Sequence, residues 1–167
     1  AAAVDLLSKA AGLSPDESFA RHSRLIADVI ALVGEVGRAS NLTLDPDAGR
    51  AHLVTVLVAS GPELSELLAR ARGVGAGMAA SRERRPDQVE QLTRQSILME
   101  SVGAKLDASM AAALELSPGL KAALEESATA SSDAVIDAQS EIVKLTGRAA
   151  GAGSAQTTTA HAYFAAW

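Results

Sequence analysis

Residues 42–47 read Leu-Thr-Leu-Asp-Pro-Asp and separate two long stretches in which apolar residues recur at spacings of three and four. This spacing places apolar side chains on one face of an α-helix. Asp-Pro-Asp is typical of a helix start, because aspartate accepts from free backbone amides and proline fits the first turn. The segment therefore predicts the end of one helix and the start of the next, with Asp45 as the cap.

Other start signals divide the rest of the chain. Ser14-Pro15-Asp16-Glu17 combines a capping box with proline in the first turn, and Ser117-Pro118 again pairs a cap residue with proline. The apolar spacing keeps its phase through Gly61-Pro62, which favours one kinked helix over two. The predicted helices are residues 14–41, 46–82, 86–115 and 118–148. At Pro118 an alternative is open, in which the last two helices run on as one bent helix.

The apolar positions of these helices form the predicted core. In the first helix they are Phe19, His22, Ile26, Val29, Val33 and Val36. In the second they are Leu53, Leu57, Ser60, Leu64, Leu67, Ala71, Val74 and Met78. In the third they are Val89, Leu92, Ser96, Met99, Gly103, Leu106, Met110 and Ala113. In the fourth they are Leu124, Ala128, Ser131, Val135, Ala138, Ile142 and Leu145.

Composition and connection length predict the fold class. The chain has 36 alanines, four aromatic residues and no cysteine, which favours an all-α fold. Short connections between long helices imply an elongated antiparallel, up-down-up-down four-helix bundle over residues 14–148. Residues 149–158 are predicted to be a flexible linker, and residues 159–167 the start of a further, truncated helix. Small residues on the predicted core faces bury little area each, so we expect a homodimer to add stability.

Several functional classes find no support in the sequence. A net charge of −5 without long charged runs argues against a nucleic-acid partner. No apolar stretch approaches the roughly 20 residues that cross a bilayer. The histidines lack the spacing of metal ligands, and Gly73-x-Gly75-x-Gly77 follows a helix rather than a strand. We therefore expect no enzymatic activity, no metal and no cofactor.

Four residues are candidates for ligand contact: Arg72, Arg70, His22 and Asp45. The two arginines are paired cations near an apolar helix face, and they could hold a small anion through charge-assisted hydrogen bonds. For each candidate a simpler interpretation stays open. The arginines could be solvated, His22 could be a core residue with one hydrogen bond, and Asp45 could act only as a helix cap.

The order of the motifs resembles that of a known family. Ser-Phe-x-x-His begins at residue 18, Ser-Asn-Leu-Thr-Leu-Asp-Pro-Asp at residue 40, Pro-Glu-Leu at residue 62 and Arg-Gly-Val-Gly-Ala at residue 72. This series resembles the periplasmic sensing region of bacterial methyl-accepting chemotaxis receptors, which also occurs on related histidine kinases and diguanylate cyclases. Residues 49–53 depart from it, since they read Gly-Arg-Ala-His-Leu where the family usually has Asp-Ser-Tyr-Tyr-Leu.

The resemblance implies an extracytoplasmic ligand-sensing module of a bacterial inner-membrane receptor. Such a module is periplasmic, is tethered to the membrane in the full-length protein, and passes a helix shift to a cytoplasmic output domain. The resemblance also marks Arg72 as the more promising of the two arginines. The alternative interpretation is a non-enzymatic, alanine-rich helical interaction or scaffold protein without a small-molecule ligand.

Overall fold

A computed structural model describes residues 2–9 and 12–147, and the regular secondary structure of this part of the chain is entirely helical. The α-helices are α1 (Ala2–Lys9), α2 (Pro15–Ala39), α3 (Ala48–Thr55), α4 (Gly61–Ser81), α5 (Pro86–Leu116) and α6 (Pro118–Thr146). A 3₁₀ turn spans Leu42–Leu44, and a π-helical turn, Val56–Ser60, joins α3 to α4. The predicted linker at 149–158 and the predicted helix start at 159–167 lie outside the described residues.

The long helices pack as consecutive antiparallel neighbours, which confirms the predicted up-down bundle. We call the continuous helical stretch of α3, the π turn and α4 the α3–α4 rod. At one end of the bundle Gly49 of this rod lies against Ser117, where α5 gives way to α6. Only Ser117 separates those two helices, and Ser132 donates to Asp107 across them at 2.8 Å. The chain therefore reverses at Ser117, which excludes the single bent helix.

The start of α3 differs from the prediction by two residues. Asp47, rather than Asp45, is the N-cap, because its carboxylate accepts from the backbone N–H of Arg50 at 2.9 Å. Asp45 accepts from the Asp47 amide at 2.8 Å and from the Arg50 guanidinium at 3.0 and 3.1 Å. Pro46 consequently lies before the helix, and Asp45 fixes the loop that leads into it.

The helix runs through Pro62 as predicted, and the π turn explains how. Proline has no N–H, and its ring crowds the carbonyl four residues before it. Here the helix widens, and the Gly61 N–H donates to the Val56 carbonyl five residues back. The extra residue in this turn rotates the preceding positions, so that Leu57 is 70% exposed. The prediction that Leu57 belongs to the core was therefore wrong.

The core is formed by α4, α5 and α6. Its largest fully buried side chains are Leu92, Met99 and Ile142. Fourteen positions predicted for these helices are confirmed as buried: Leu64, Leu67, Ala71, Val74, Met78, Leu92, Met99, Gly103, Leu106, Ala113, Val135, Ala138, Ile142 and Leu145. The small side chains of this set let the helices approach closely.

Helix α2 lies on the outside of this core, against the α3–α4 rod. Phe19 packs against the core, and Gly37 lies close to Val58. These two positions of α2 are 18 residues, or about five turns, apart and so share one face. The prediction that Phe19 packs inward is confirmed, but His22, Val29 and Val36 of the same predicted face are exposed, the two valines by 51% and 56%. The apolar arc of α2 is wider than the surface that the rod covers, and the sequence pattern does not say which part of it packs.

Candidate functional site

A cleft of about 500 Å³ opens between α4 and α5. This volume falls within the range of small-molecule sites. Its lining mixes two leucines with charged and amide side chains: Leu67, Arg70, Asp87, Glu90, Gln91, Arg94, Gln95 and Leu98. On each helix these residues recur at spacings of three and four, so two short helical stripes face each other across the cleft.

Gln95 is the most deeply buried polar residue of this lining. It is 5% exposed and lies between Leu92 and Met99 on the core face of α5. Its side-chain oxygen Oε1 is buried and has no hydrogen-bond partner in the described part of the chain. A buried oxygen without a donor costs roughly 1–3 kcal/mol. Gln95 is therefore a polar side chain on the core face of α5 whose burial the described residues do not compensate.

Arg70 reaches the cleft from α4. Its Nε atom is buried and lies 3.8 Å from Oε1 of Glu66, which is too long for a hydrogen bond. The Glu66 side chain is 12% exposed and that of Arg70 is 42% exposed, so the arginine runs from a buried stem toward the open cleft. Within the described residues, no hydrogen bond occupies the terminal nitrogens of Arg70. They are therefore available to an anion.

Glu66 is the acidic side chain that pairs with Arg70. Burial raises the pKa of the Glu66 carboxyl above its usual range, and the positive charge of Arg70 opposes that rise. Because burial affects this pKa more than the charge of Arg70 does, the ion pair offsets only part of the cost of burying the Glu66 carboxylate. A second anion near Arg70 would compete with Glu66 for the guanidinium.

The other charges of the cleft are paired near its surface. Arg94 binds Glu90 at 2.6 Å, with both side chains about 70% exposed, and Arg85 binds Asp87 at 2.9 Å. The Arg85 guanidinium lowers the pKa of the Asp87 carboxyl. Exposed pairs of this kind contribute little to stability, so a ligand can replace one partner at small cost.

The structure does not bring the four predicted contact residues together. Arg70 lines the cleft, whereas Arg72 is exposed and lies about 200° further round the helix. His22 is exposed on α2, with Nδ1 at 2.7 Å from the Ser18 carbonyl oxygen. Asp45 lies in the loop before α3. The geometry therefore favours Arg70 among the four.

Gly73, the second residue of the Arg-Gly-Val-Gly-Ala motif, has a packing role. A Cβ at Gly73 would come within 2.8 Å of the Phe19 ring. The absence of a side chain lets α2 approach α4 at this point. The motif Arg-Gly-Val-Gly-Ala is thus explained in part by helix packing.

Sequence reasoning missed Gln95, Gln91 and Arg94. The spacing Leu92-Gln95-Met99 places Gln95 on the core face, and a glutamine at such a position is a detectable signal. The prediction used Ser96 instead, which fits the same three-four pattern. Arg94 and Gln91 resemble ordinary surface residues of a helix, so only the packing of α4 against α5 distinguishes them.

Two further findings on the described residues concern metals and membranes. No group of three histidine, aspartate or glutamate side chains in this part of the chain converges as a metal site. No helix within it is long and apolar enough to cross a membrane.

Comparison of the chain with known protein families, curated proteins and solved structures found no match. The resemblance to the sensing region of chemotaxis receptors therefore stays a prediction from motif order. The class that the fold defines is an all-α domain with four long helices.

Proposed function

We propose that this chain is a ligand-sensing module that binds a small anionic molecule in the α4–α5 cleft. The observation that carries the proposal is the combination of Arg70 and Gln95 in one cleft between two core helices. An anion there would accept charge-assisted hydrogen bonds from Arg70, worth roughly 1.5–3 kcal/mol each. The module performs no chemistry on its ligand and uses no cofactor.

The signal in this proposal is a shift of one helix against another. Arg70 and Gln95 belong to different helices, so a ligand that binds both favours the arrangement in which α4 and α5 present them together. The shift can be no larger than the difference in affinity between the two arrangements permits. Motif order supports a place for the module outside the cytoplasm, in a membrane receptor that carries the shift to an output domain.

A homodimer is the second part of the proposal. On α2, Val29, Leu32 and Val36 are 51–60% exposed and form an outward apolar stripe. This stripe is the half of the apolar arc that the α3–α4 rod leaves uncovered. A second copy of α2 would cover it, and the helix shift would then pass across the dimer.

The alternative is an interaction bundle without a small-molecule ligand. The same stripe on α2 supports it, because exposed apolar helix faces also bind other proteins. The two proposed functions make different predictions for the cleft. The sensor requires Arg70 to bind a ligand there, whereas the interaction bundle does not.

A thermal-shift screen of small carboxylates, phosphates and nitrate tests the proposal. We expect hits that raise the melting temperature of the wild type and of Arg72→Gln but not of Arg70→Gln. Arg72→Gln is the matched control, since it removes the same charge two residues away on another side of α4. Hits that survive Arg70→Gln would place the site elsewhere. A screen without hits would favour the interaction bundle.

A further inference from the structure

We infer that α2 pairs with α2 of a second copy in the same direction, as a two-stranded parallel coiled coil, and that the two His22 side chains meet in it and fix its register. This inference rests on the dimer of the proposed function and specifies how the two copies join. It starts from the outward stripe of α2, which two further positions extend toward the start of the helix.

The exposed apolar positions of α2 follow a heptad repeat. They lie at alternating spacings of three and four, as positions a and d of a coiled coil do. We call this set the α2 seam: His22, Leu25, Val29, Leu32 and Val36. Leu25 is half-buried and the other four are exposed. The contacts of α2 with its own fold, at Phe19 and Gly37, lie about 100° round the helix from the middle of the seam. A second helix can therefore pack on the seam while α2 stays on the α3–α4 rod.

The residue types of the seam indicate how many helices meet and in which direction. Val29 and Val36 take position a, and Leu25 and Leu32 take position d. β-Branched residues at position a with leucine at position d favour a parallel pair of helices over trimers and tetramers. A second copy of α2 has the same pattern, so it supplies the matching layer at every position of the seam.

The charges beside the seam disfavour the opposite direction. Asp28 and Glu35 lie along one edge of it, at position g. If two fully overlapped helices ran in opposite directions, these edges would face each other, and Asp28 of each copy would lie beside Glu35 of the other. Two carboxylates at that distance repel each other. Arg38 pairs with Glu35 on its own helix, but no ion pair within the described residues holds Asp28. In the parallel pair, position g instead faces position e of the other copy, where Ile26 and Val33 carry no charge.

His22 is the polar residue of the seam, and it also takes position a. Its Nδ1 lies 2.7 Å from the Ser18 carbonyl oxygen. That oxygen can only accept, so Nδ1 is the donor and Nε2 is the nitrogen left free for the second copy. A single polar residue at position a fixes the register of a coiled coil at a cost in stability. A shift by one heptad would place one imidazole opposite Val29, so the matched register is the one that joins the two histidines.

Disulfide cross-linking of the full chain tests the direction, because the protein has no cysteine of its own. Leu25→Cys and Val36→Cys, each alone, should link two copies on mild oxidation, since a disulfide requires Cα atoms within about 7 Å. In the opposite direction, the two copies of residue 25 would lie about 16 Å apart along the axis. A mixture of the two variants would then form the mixed disulfide instead. Ala31→Cys, on the polar side of α2, is the matched control and should not link.

His22→Val tests the register. We expect this variant to dimerise at least about threefold more tightly in sedimentation equilibrium, because valine buries apolar surface where the imidazole does not. In this background a mixture of Leu25→Cys and Leu32→Cys, which lie one heptad apart, should form the mixed disulfide. With His22 present the same mixture should not form it. If His22→Val changes neither the affinity nor the cross-linking, the role of His22 in the register is overturned.

The outcomes separate this inference from the proposed function. A dimer that links only in the mixture of Leu25→Cys and Val36→Cys would overturn the parallel arrangement and leave the dimer standing. Linking of Ala31→Cys as fast as the seam variants would overturn it as well. A wild type that stays monomeric at submillimolar concentration, with no seam variant linked, would overturn both the inference and the proposed dimer. The anion site is tested separately through Arg70.

Discussion

Gly61→Ala should destabilise the protein, although alanine is the better helix former. A Cβ at this position would lie 2.7 Å from the Val56 carbonyl oxygen, a backbone atom that the π turn holds in place. Relief of this overlap requires a backbone shift, which typically costs about 1–3 kcal/mol. The gain in helix propensity, about 0.5–1 kcal/mol, offsets only part of it. We expect a net loss of about 1–2 kcal/mol.

Gly34→Ala is the matched control for this prediction. Gly34 is also helical, but a Cβ there would meet no atom within 4 Å. It should therefore gain up to about 1 kcal/mol from propensity alone. Urea unfolding measures both, and Gly61→Ala should lower the midpoint by roughly 0.5–1 M at unchanged slope. If Gly61→Ala stabilises the protein as Gly34→Ala does, the π turn before Pro62 is refuted.

Three further predictions concern the helix cap, the buried acid and the exposed stripe. Asp47→Ala should cost about 1 kcal/mol in urea unfolding, because the N-cap of α3 is lost; an unchanged midpoint would contradict the cap assignment. Glu66→Gln should raise the melting temperature at pH 7, since burial raises the pKa of this carboxyl and its ionised form therefore disfavours folding. The difference should shrink as the pH falls through the usual glutamate range, and a difference independent of pH would contradict the explanation. Leu32→Glu should weaken the proposed dimer at least about tenfold in sedimentation equilibrium, whereas Ala31→Glu, on the polar side of α2, should not. Equal effects of the two variants would contradict the proposed interface.

Local signals predicted most of the fold. Cap residues and prolines act within one turn of the chain, so Ser14, Pro86 and Pro118 mark helix starts without tertiary information. The core faces of α4, α5 and α6 follow from three-four spacing, because each of these helices packs on more than one neighbour. Their apolar residues are consequently buried in most directions.

The face of α2 could not be predicted in the same way. This helix packs mainly on one neighbour, so only part of its apolar arc is buried. Spacing identifies the arc, but the part that packs depends on Gly73 and Val58, which admit Phe19 and the backbone at Gly37. These contacts join distant parts of the chain and leave no periodic signal.

The candidate site was predictable only in part. Arg70 was found because two arginines lie near an apolar face. The distinction between Arg70 and Arg72 depends on the direction from which α5 packs, and Gln95 becomes significant only when its oxygen is seen to lack a partner. The cleft exists only because α4 and α5 pack together, so the sequence of either helix alone does not predict it.

The proposed function requires Arg70 to bind the ligand. Calorimetric titration of the tightest compound from the screen tests it most directly, with the wild type, Arg70→Gln and Arg72→Gln under the same conditions. We expect Arg70→Gln to weaken binding at least about tenfold, because a charge-assisted hydrogen bond is lost, and Arg72→Gln to leave the affinity within about twofold of the wild type. An unchanged affinity in Arg70→Gln would contradict it.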